Sequence, residues 1–127
     1  MAPPPELWRI YHVPNCSHTR PKPKPKYVVI VCRGVMPMGF LINSEINVWI
    51  RINSDLMACQ APIIAVEHPG CLHYDGFVDC LDLYPFEDFE LTDVRDEVSS
   101  NAKKAILAAV RNSKGIPQGL KRTIVDS

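Results

Sequence analysis

Proline alternates with basic residues over residues 20–26, and this pattern restricts the fold more than any other segment of the chain. Each proline fixes φ near the polyproline value and removes a backbone donor, so we expect neither a helix nor an interior strand there. The apolar, β-branched residues 27–32 follow at once and predict a buried strand. The sequence therefore predicts an extended basic arm that is fixed at one end to a β core.

This basic arm has two interpretations. Cationic side chains held beside a rigid sheet suit an anionic partner, and the phosphates of RNA or DNA are the first candidates. A solvated, semi-rigid linker that keeps a sheet edge from associating explains the same residues and is the simpler interpretation.

Charge is distributed unevenly along a chain that is formally neutral. Residues 75–97 contain nine acids against Arg95 alone, which predicts an acidic face. Residues 9–33 contain cations and no acid, which predicts a basic face; these cations are Arg9, Arg20, Lys22, Lys24, Lys26 and Arg33.

The cysteines and the apolar runs indicate a compartment. Five cysteines without a C-x-x-C motif favour reduced thiols, and so a cytoplasmic protein. The N-terminus lacks the basic start and apolar core of a signal peptide. No apolar run reaches the length of a membrane span, so we expect a soluble, one-domain protein without a membrane partner.

Short β-branched stretches between turn residues predict a small, strongly bent antiparallel sheet or barrel. The periodicity then changes, because Ala102, Ile106 and Ala109 belong to an apolar stripe on one face of a helix. Ser99 or Ser100 is expected to cap this helix, and Gly115 to end it in the left-handed conformation. Strands are expected at residues 7–13, 27–32, 40–42, 48–52, 63–66 and 77–84, with a polar loop at 14–26, an extended piece at 86–91 and a tail at 118–127.

The loop residues suggest three kinds of chemistry. A zinc site at His68, Cys71 and His73 lacks the usual ligand spacings, so we expect no metal and no cofactor. Cys71 lacks the surroundings of a known nucleophile, which favours a structural cysteine. Metal-free cleavage of RNA needs a base for the ribose 2′-hydroxyl and cations for the phosphate. The candidates are His12, His18, Lys24, Lys26, Arg33 and Ser44.

The order of these elements resembles that of the MazF/PemK-type toxins. Residues 7–14 resemble the opening strand of that family, and Lys26 with residues 27–31 resembles its arginine–proline–apolar segment. Residues 40–44 resemble the strand that ends in threonine, 75–84 the later glycine–apolar stretch, and 99–117 the closing helix. The resemblance implies a small SH3-like antiparallel barrel over residues 1–117, mainly β with one capping C-terminal helix.

The family resemblance also implies a function. Its members are usually dimers that cut single-stranded RNA and are neutralised by an antitoxin segment. It implies a growth-inhibiting, metal-independent endoribonuclease in which Lys26 holds phosphate, Ser44 orients it and His18 carries a proton. The residues expected to bind nucleic acid are Arg20, Lys22, Lys24 and Arg33.

Three departures from the family pattern leave a second function open, and one of them is the replacement of the glycines that usually mark the first loop by residues 19–23. Lys26 stands where the family has arginine, and Ser44 where it has threonine. Lysine lacks the guanidinium fork and clamps a phosphate less firmly. The alternative is a non-catalytic barrel, carried by a phage or mobile element, that binds a protein or a nucleic acid.

Overall fold

The computed structural model describes residues 4–19 and 21–126 and places the strands in a single antiparallel sheet. The strands are β1 Arg9–Cys16, β2 Lys24–Arg33, β3 Pro37–Asn43, β4 Gln60–Ile63, β5 Gly76–Pro85 and β6 Val94–Glu97. Their order is β4-β5-β3-β2-β1-β6, and the sheet curls into a half-barrel. The predicted class, mainly β with a C-terminal helix, is confirmed.

The proline-rich segment enters the sheet earlier than the sequence predicts. Strand β2 begins at Lys24, so Pro25 lies in an interior strand, and the expected loop at 14–26 is shortened at both ends. The register explains how the sheet accommodates this proline: Lys26 pairs with Val13 and Lys24 with Cys16, which leaves two residues of β1 against one of β2. This irregularity falls where Pro25 has no N–H to donate.

Apolar side chains cover both faces of the sheet. Val29 and Val31 pack in a core with the C-terminal helices, whereas Val28 and Ile30 pack in a second core that contains Phe86. Because β2 is buried on both faces, it reads as a continuous apolar run and not as an alternating one.

The strand predicted at 48–52 is wrong, since two short helices, α1 Val48–Arg51 and α2 Ser54–Met57, occupy this region. The Oδ1 atom of Asn47 accepts the Ile50 amide at 3.0 Å, and Asn53 caps α2 in the same way. These caps explain the difference, because asparagine side chains satisfy the free amides of a helix start. Trp49 is 74% exposed, so the apolar alternation here does not mark burial.

Two other segments differ from the sequence prediction. The extended piece predicted at 86–91 contains a 3-10 helix, Asp88–Glu90, where the Glu90 carboxylate accepts the Glu87 amide at 2.9 Å. Strand β4 lies at Gln60–Ile63, and a 3-10 helix, Ala65–Glu67, takes up the rest of the strand predicted at 63–66. The charged edge strand β6 was not predicted.

The predicted amphipathic helix is confirmed as α3 Ser100–Asn112, with Ser99 as its cap and Ala102, Ile106 and Ala109 buried. The Oγ atom of Ser99 accepts the Ala102 amide at 3.1 Å. The left-handed conformation predicted for Gly115 is wrong, because no glycine of the described residues has a positive φ.

Residues after 117, expected to be a tail, form a second C-terminal helix, α4 Gln118–Val125. Pro117 precedes its first turn, where the missing N–H costs nothing. Ile124 is completely buried in the core on that side of the sheet. Within the described residues, no helix has both the length and the apolar character that a membrane crossing requires.

Candidate functional site

A cleft of about 270 Å³ lies across one end of the sheet, where β2 begins, β3 ends and β5 begins. This volume is just below the roughly 300 Å³ at which small-molecule pockets usually start, so the cleft suits one small group. It is lined by Pro25, Lys26, Tyr27, Ile42, Asn43, Ser44, Cys71, Leu72, His73, Tyr74 and Gly76.

Lys26 and Ser44 come together in this cleft because β2 and β3 are antiparallel neighbours. The register that pairs Val28 with Leu41 puts Lys26 opposite Asn43, and Ser44 follows directly. The Nζ atom of Lys26 donates to Asn43 Oδ1 at 2.5 Å.

The half-buried ammonium group of Lys26 is electrostatically distinct from the lysines before it. Burial lowers its pKa from the ordinary lysine value, and the nearby charge of Lys24 lowers it further. Partial loss of water also strengthens the attraction between this ammonium and an anion, because the local dielectric is lower than in solvent.

The loop that forms the far wall of the cleft is held from below by His68, a fully buried histidine. Its Nδ1 lies 2.8 Å from the Ile64 carbonyl, and its Nε2 accepts the Ser99 amide at 2.9 Å. These partners assign the proton to Nδ1. The carbonyl of His68 accepts the amides of Cys71 and Leu72, so both cleft residues are fixed to it.

Three rings surround the mouth of the cleft: Tyr27, His73 and Tyr74. Tyr27 packs against the ring of His12, with centroids 5.3 Å apart, and this contact limits its freedom. Tyr74 is 81% exposed and lies two residues before the start of β5. The cleft thus combines one cation with two exposed rings, His73 and Tyr74, and with the half-buried ring of Tyr27.

The other residues predicted for the site lie in different places. Lys22 and Lys24 are exposed on the approach to Lys26, whereas Arg20 lies outside the described residues. Arg33 is seven residues further along β2, about 23 Å from Lys26. There its guanidinium pairs with the carboxylate of Asp88 at 3.2 and 3.3 Å.

The structure does not bring His18 to the cleft. Its Nε2 lies 2.7 Å from the Pro85 carbonyl, and its ring stacks on Tyr84 with centroids 4.6 Å apart. His73 is the histidine beside Lys26 and Ser44. His18 therefore does not line the cleft with these two residues, and its role as a proton carrier stays a prediction.

Neither the metal hypothesis nor the cysteine hypothesis finds support at His68 and Cys71. Both ring nitrogens of His68 are occupied by backbone groups, and the described part of the chain contains no metal-ligand cluster of His, Cys, Asp or Glu. Burial, followed by the charge of Asp96, raises the pKa of Cys71 to about 11, which suppresses the nucleophilic thiolate.

The sequence prediction did not assign Asn43, His73 or Tyr74 to a site with Lys26. A signal was present for Tyr74, since a large ring beside the turn pair Asp75-Gly76 has no strand or helix to bury it. Asn43 and His73 carried no such signal, because their position depends on how β3, β5 and the intervening loop meet.

The fold and cleft define a small β protein with a lysine-centred, ring-lined surface site. Compared with protein-family models and with curated proteins, the sequence gives no match to either. The resemblance to the MazF/PemK-type toxins therefore rests on the sequence pattern, and the homodimer, the antitoxin partner and the cytoplasmic location stay predictions.

Proposed function

We propose that this cleft binds single-stranded RNA. The observation that carries the proposal is the convergence of the Lys26 ammonium with the rings of Tyr27, His73 and Tyr74. Proteins that hold single strands combine cations for the phosphates with flat rings on which bases stack. The cleft supplies both within a space that suits one nucleotide-sized group.

The cleft favours a single strand over a duplex. A base can stack on the exposed ring of Tyr74 only through a free face, and inside a duplex both faces of each base are covered by neighbouring bases. Lys22 and Lys24 extend the positive charge outward from Lys26 along the incoming strand. The Thr19 hydroxyl donates to the Lys22 carbonyl at 2.7 Å and fixes the turn before them.

Two substitutions and one control test this RNA binding by fluorescence anisotropy on labelled single-stranded RNA. Tyr74→Ala removes one stacking surface, so we expect binding to weaken by about 1–3 kcal/mol. Lys26→Gln removes one phosphate contact, so the slope of log K against log salt should fall by about 0.7. Arg33→Gln changes a cation at the far end of β2 and should leave both quantities as they are.

Two results would contradict the proposal. One is equal affinity of the wild type, Lys26→Gln and Tyr74→Ala for single-stranded RNA; the other is a duplex bound as tightly as a single strand. Circular dichroism of each variant separates these results from a loss of folding.

A second candidate function, cleavage of the bound RNA, is favoured by the shared position of His73 and Ser44 beside Lys26. In this reaction His73 takes the proton of a ribose 2′-hydroxyl, and the 2′-oxygen bonds to phosphorus. The bond from phosphorus to the 5′-oxygen breaks, and water protonates the leaving oxygen. Lys26 stabilises the added charge, and Ser44 hydrogen-bonds a phosphate oxygen.

End analysis of RNA incubated with the protein in EDTA tests this cleavage. We expect 2′,3′-cyclic phosphate and 5′-hydroxyl ends, which His73→Gln should abolish even at protein concentrations that saturate the binding of this variant to RNA. Cells expressing the wild type should stop growing, whereas cells expressing His73→Gln should grow. If varied RNAs are bound but stay intact, the protein is a binding module and the enzymatic candidate is wrong.

A further inference from the structure

The two C-terminal helices have a surplus of positive charge that the cleft does not use. Residues 98–126 contain six cations and a single acid, Asp126, although the whole chain is formally neutral. The six cations are Lys103, Lys104, Arg111, Lys114, Lys121 and Arg122.

Three of these cations line one groove of about 220 Å³ between the end of α3 and the outer face of α4. Gln118, Lys121, Arg122 and Val125 follow at i, i+3, i+4 and i+7, so they share one face of α4. Arg111, in the last turn of α3, completes the groove. The Nζ atom of Lys121 donates to the Arg111 carbonyl at 3.3 Å and keeps the two helices together.

The charge of this groove is not neutralised within the described part of the chain. Arg111, Lys121 and Arg122 form no ion pair there, whereas Arg33 and Arg95 on the sheet each pair with an aspartate. Neighbouring like charges repel one another, and an anion placed between them removes this repulsion. The groove is therefore suited to a negatively charged ligand.

We infer that this groove is a second contact for RNA phosphates, occupied by the strand that also enters the cleft. The inference rests on the proposed RNA binding and extends it to a second surface. Arginine donates two parallel hydrogen bonds to a phosphate, and two of the three cations are arginines. Helix α4 packs on β2, the strand whose first residues form the cleft, so one RNA chain can follow both.

A triple variant tests the groove: Arg111→Gln, Lys121→Gln and Arg122→Gln in the full chain. Glutamine keeps the helix propensity and removes three charges. The RNA is a single strand of about 20 nucleotides, longer than the roughly 4–16 that one small β domain covers. We expect the slope of log K against log salt to fall by about 2. Affinity at about 0.1 M salt should fall at least tenfold. An RNA of about 4 nucleotides should bind both proteins equally, since it is long enough for the cleft and the lysines beside it but does not extend to the groove.

A matched control uses the double variant Lys104→Gln and Lys114→Gln, which removes exposed cations from outside the groove and should leave the slope within about 0.7 of the wild type. An unchanged slope and affinity for the triple variant would overturn the inference while the Lys26 result still supports the cleft. If the triple variant binds RNA more weakly while Lys26→Gln and Tyr74→Ala bind it as the wild type does, the proposal for the cleft is wrong and the inference for the groove stands.

Discussion

At the scale of single residues, His68 connects the wall of the cleft to the start of α3. Its buried side chain contacts the backbone on both sides, at Ile64 and at Ser99. Beside it, the Glu67 carboxylate accepts the Ser99 hydroxyl at 2.8 Å and the Asn101 amide at 2.9 Å. Hydrogen bonds to Glu67 from these two groups lower its pKa.

We predict that His68→Ala lowers the free energy of unfolding by about 2–4 kcal/mol, measured by urea denaturation. The substitution leaves a cavity, and it leaves the Ser99 amide without its acceptor. His73→Ala, which changes an exposed histidine five residues later, is the control and should stay within about 0.5 kcal/mol of the wild type. Equal stability of the two variants would show that His68 does not hold the loop.

Some residues of the cleft were predictable and others were not. Lys26 lies near the start of β2 and Ser44 follows the end of β3, so an antiparallel hairpin alone brings them close. His18 lies in a loop without periodicity, and only the curl of the sheet decides that it meets Pro85. Arg33 lies at the opposite end of β2 from Lys26. The two residues are seven positions apart, and each residue of a strand adds about 3.3 Å.

At the scale of elements, α4 shows how a short helix gains stability from packing. Its eight residues are too few to form a stable isolated helix, so its buried side must hold it in place. Ile124 provides that anchor, since it is completely buried in the core beneath α3 and α4.

We predict that Ile124→Ala destabilises the protein by about 2–5 kcal/mol and lowers its melting temperature. Thr123→Ala changes the neighbouring exposed position and should cost less than about 1 kcal/mol, because only a hydroxyl bond to the Gly119 carbonyl is lost. Thermal melts followed by circular dichroism compare them. If Ile124→Ala melts at the same temperature as the wild type, residues 118–126 are not part of the cooperative fold.

The elements that the sequence predicted well are those in which periodicity and burial agree. Helix α3 has an apolar stripe and a serine cap, and β2 is apolar on both faces. Prediction failed at α1, where capping by Asn47 prevails over an apolar pattern that is not buried. It also failed at β6, whose charged side chains suit an exposed sheet edge and give no apolar signal.

At the scale of the whole molecule, the basic and acidic faces are less separate than the sequence suggests. Arg9 pairs with Glu6 and Glu97, and Arg33 pairs with Asp88. These exposed pairs contribute little to stability, but they cancel the positive charge of both arginines. The remaining surplus lies on the lysines before β2 and on the C-terminal helices.

Because the thiols are buried, the folding stability of the molecule depends on pH in the alkaline range. All five cysteines are free and buried, and burial raises the pKa of each thiol, to about 11 for Cys71 against 9.0 when exposed. Between these two values the folded chain retains a proton that the unfolded chain has lost. The stability that the protonated Cys71 thiol contributes is therefore fully present below about pH 9, and it decreases as the pH rises toward 11 by on the order of 1 kcal/mol per pH unit.

We predict that urea denaturation gives a lower free energy of unfolding at about pH 10 than at about pH 8, and that Cys71→Ala reduces this difference. The comparison with the variant is needed because the lowered pKa of Lys26 acts in the opposite direction, gaining stability as the pH rises. Cys71→Ala should also lose about 1 kcal/mol at neutral pH through reduced packing, which leaves the pH slope as the readout. An identical decrease in wild type and variant would show that the Cys71 thiol ionises as easily in the folded chain as in the unfolded one.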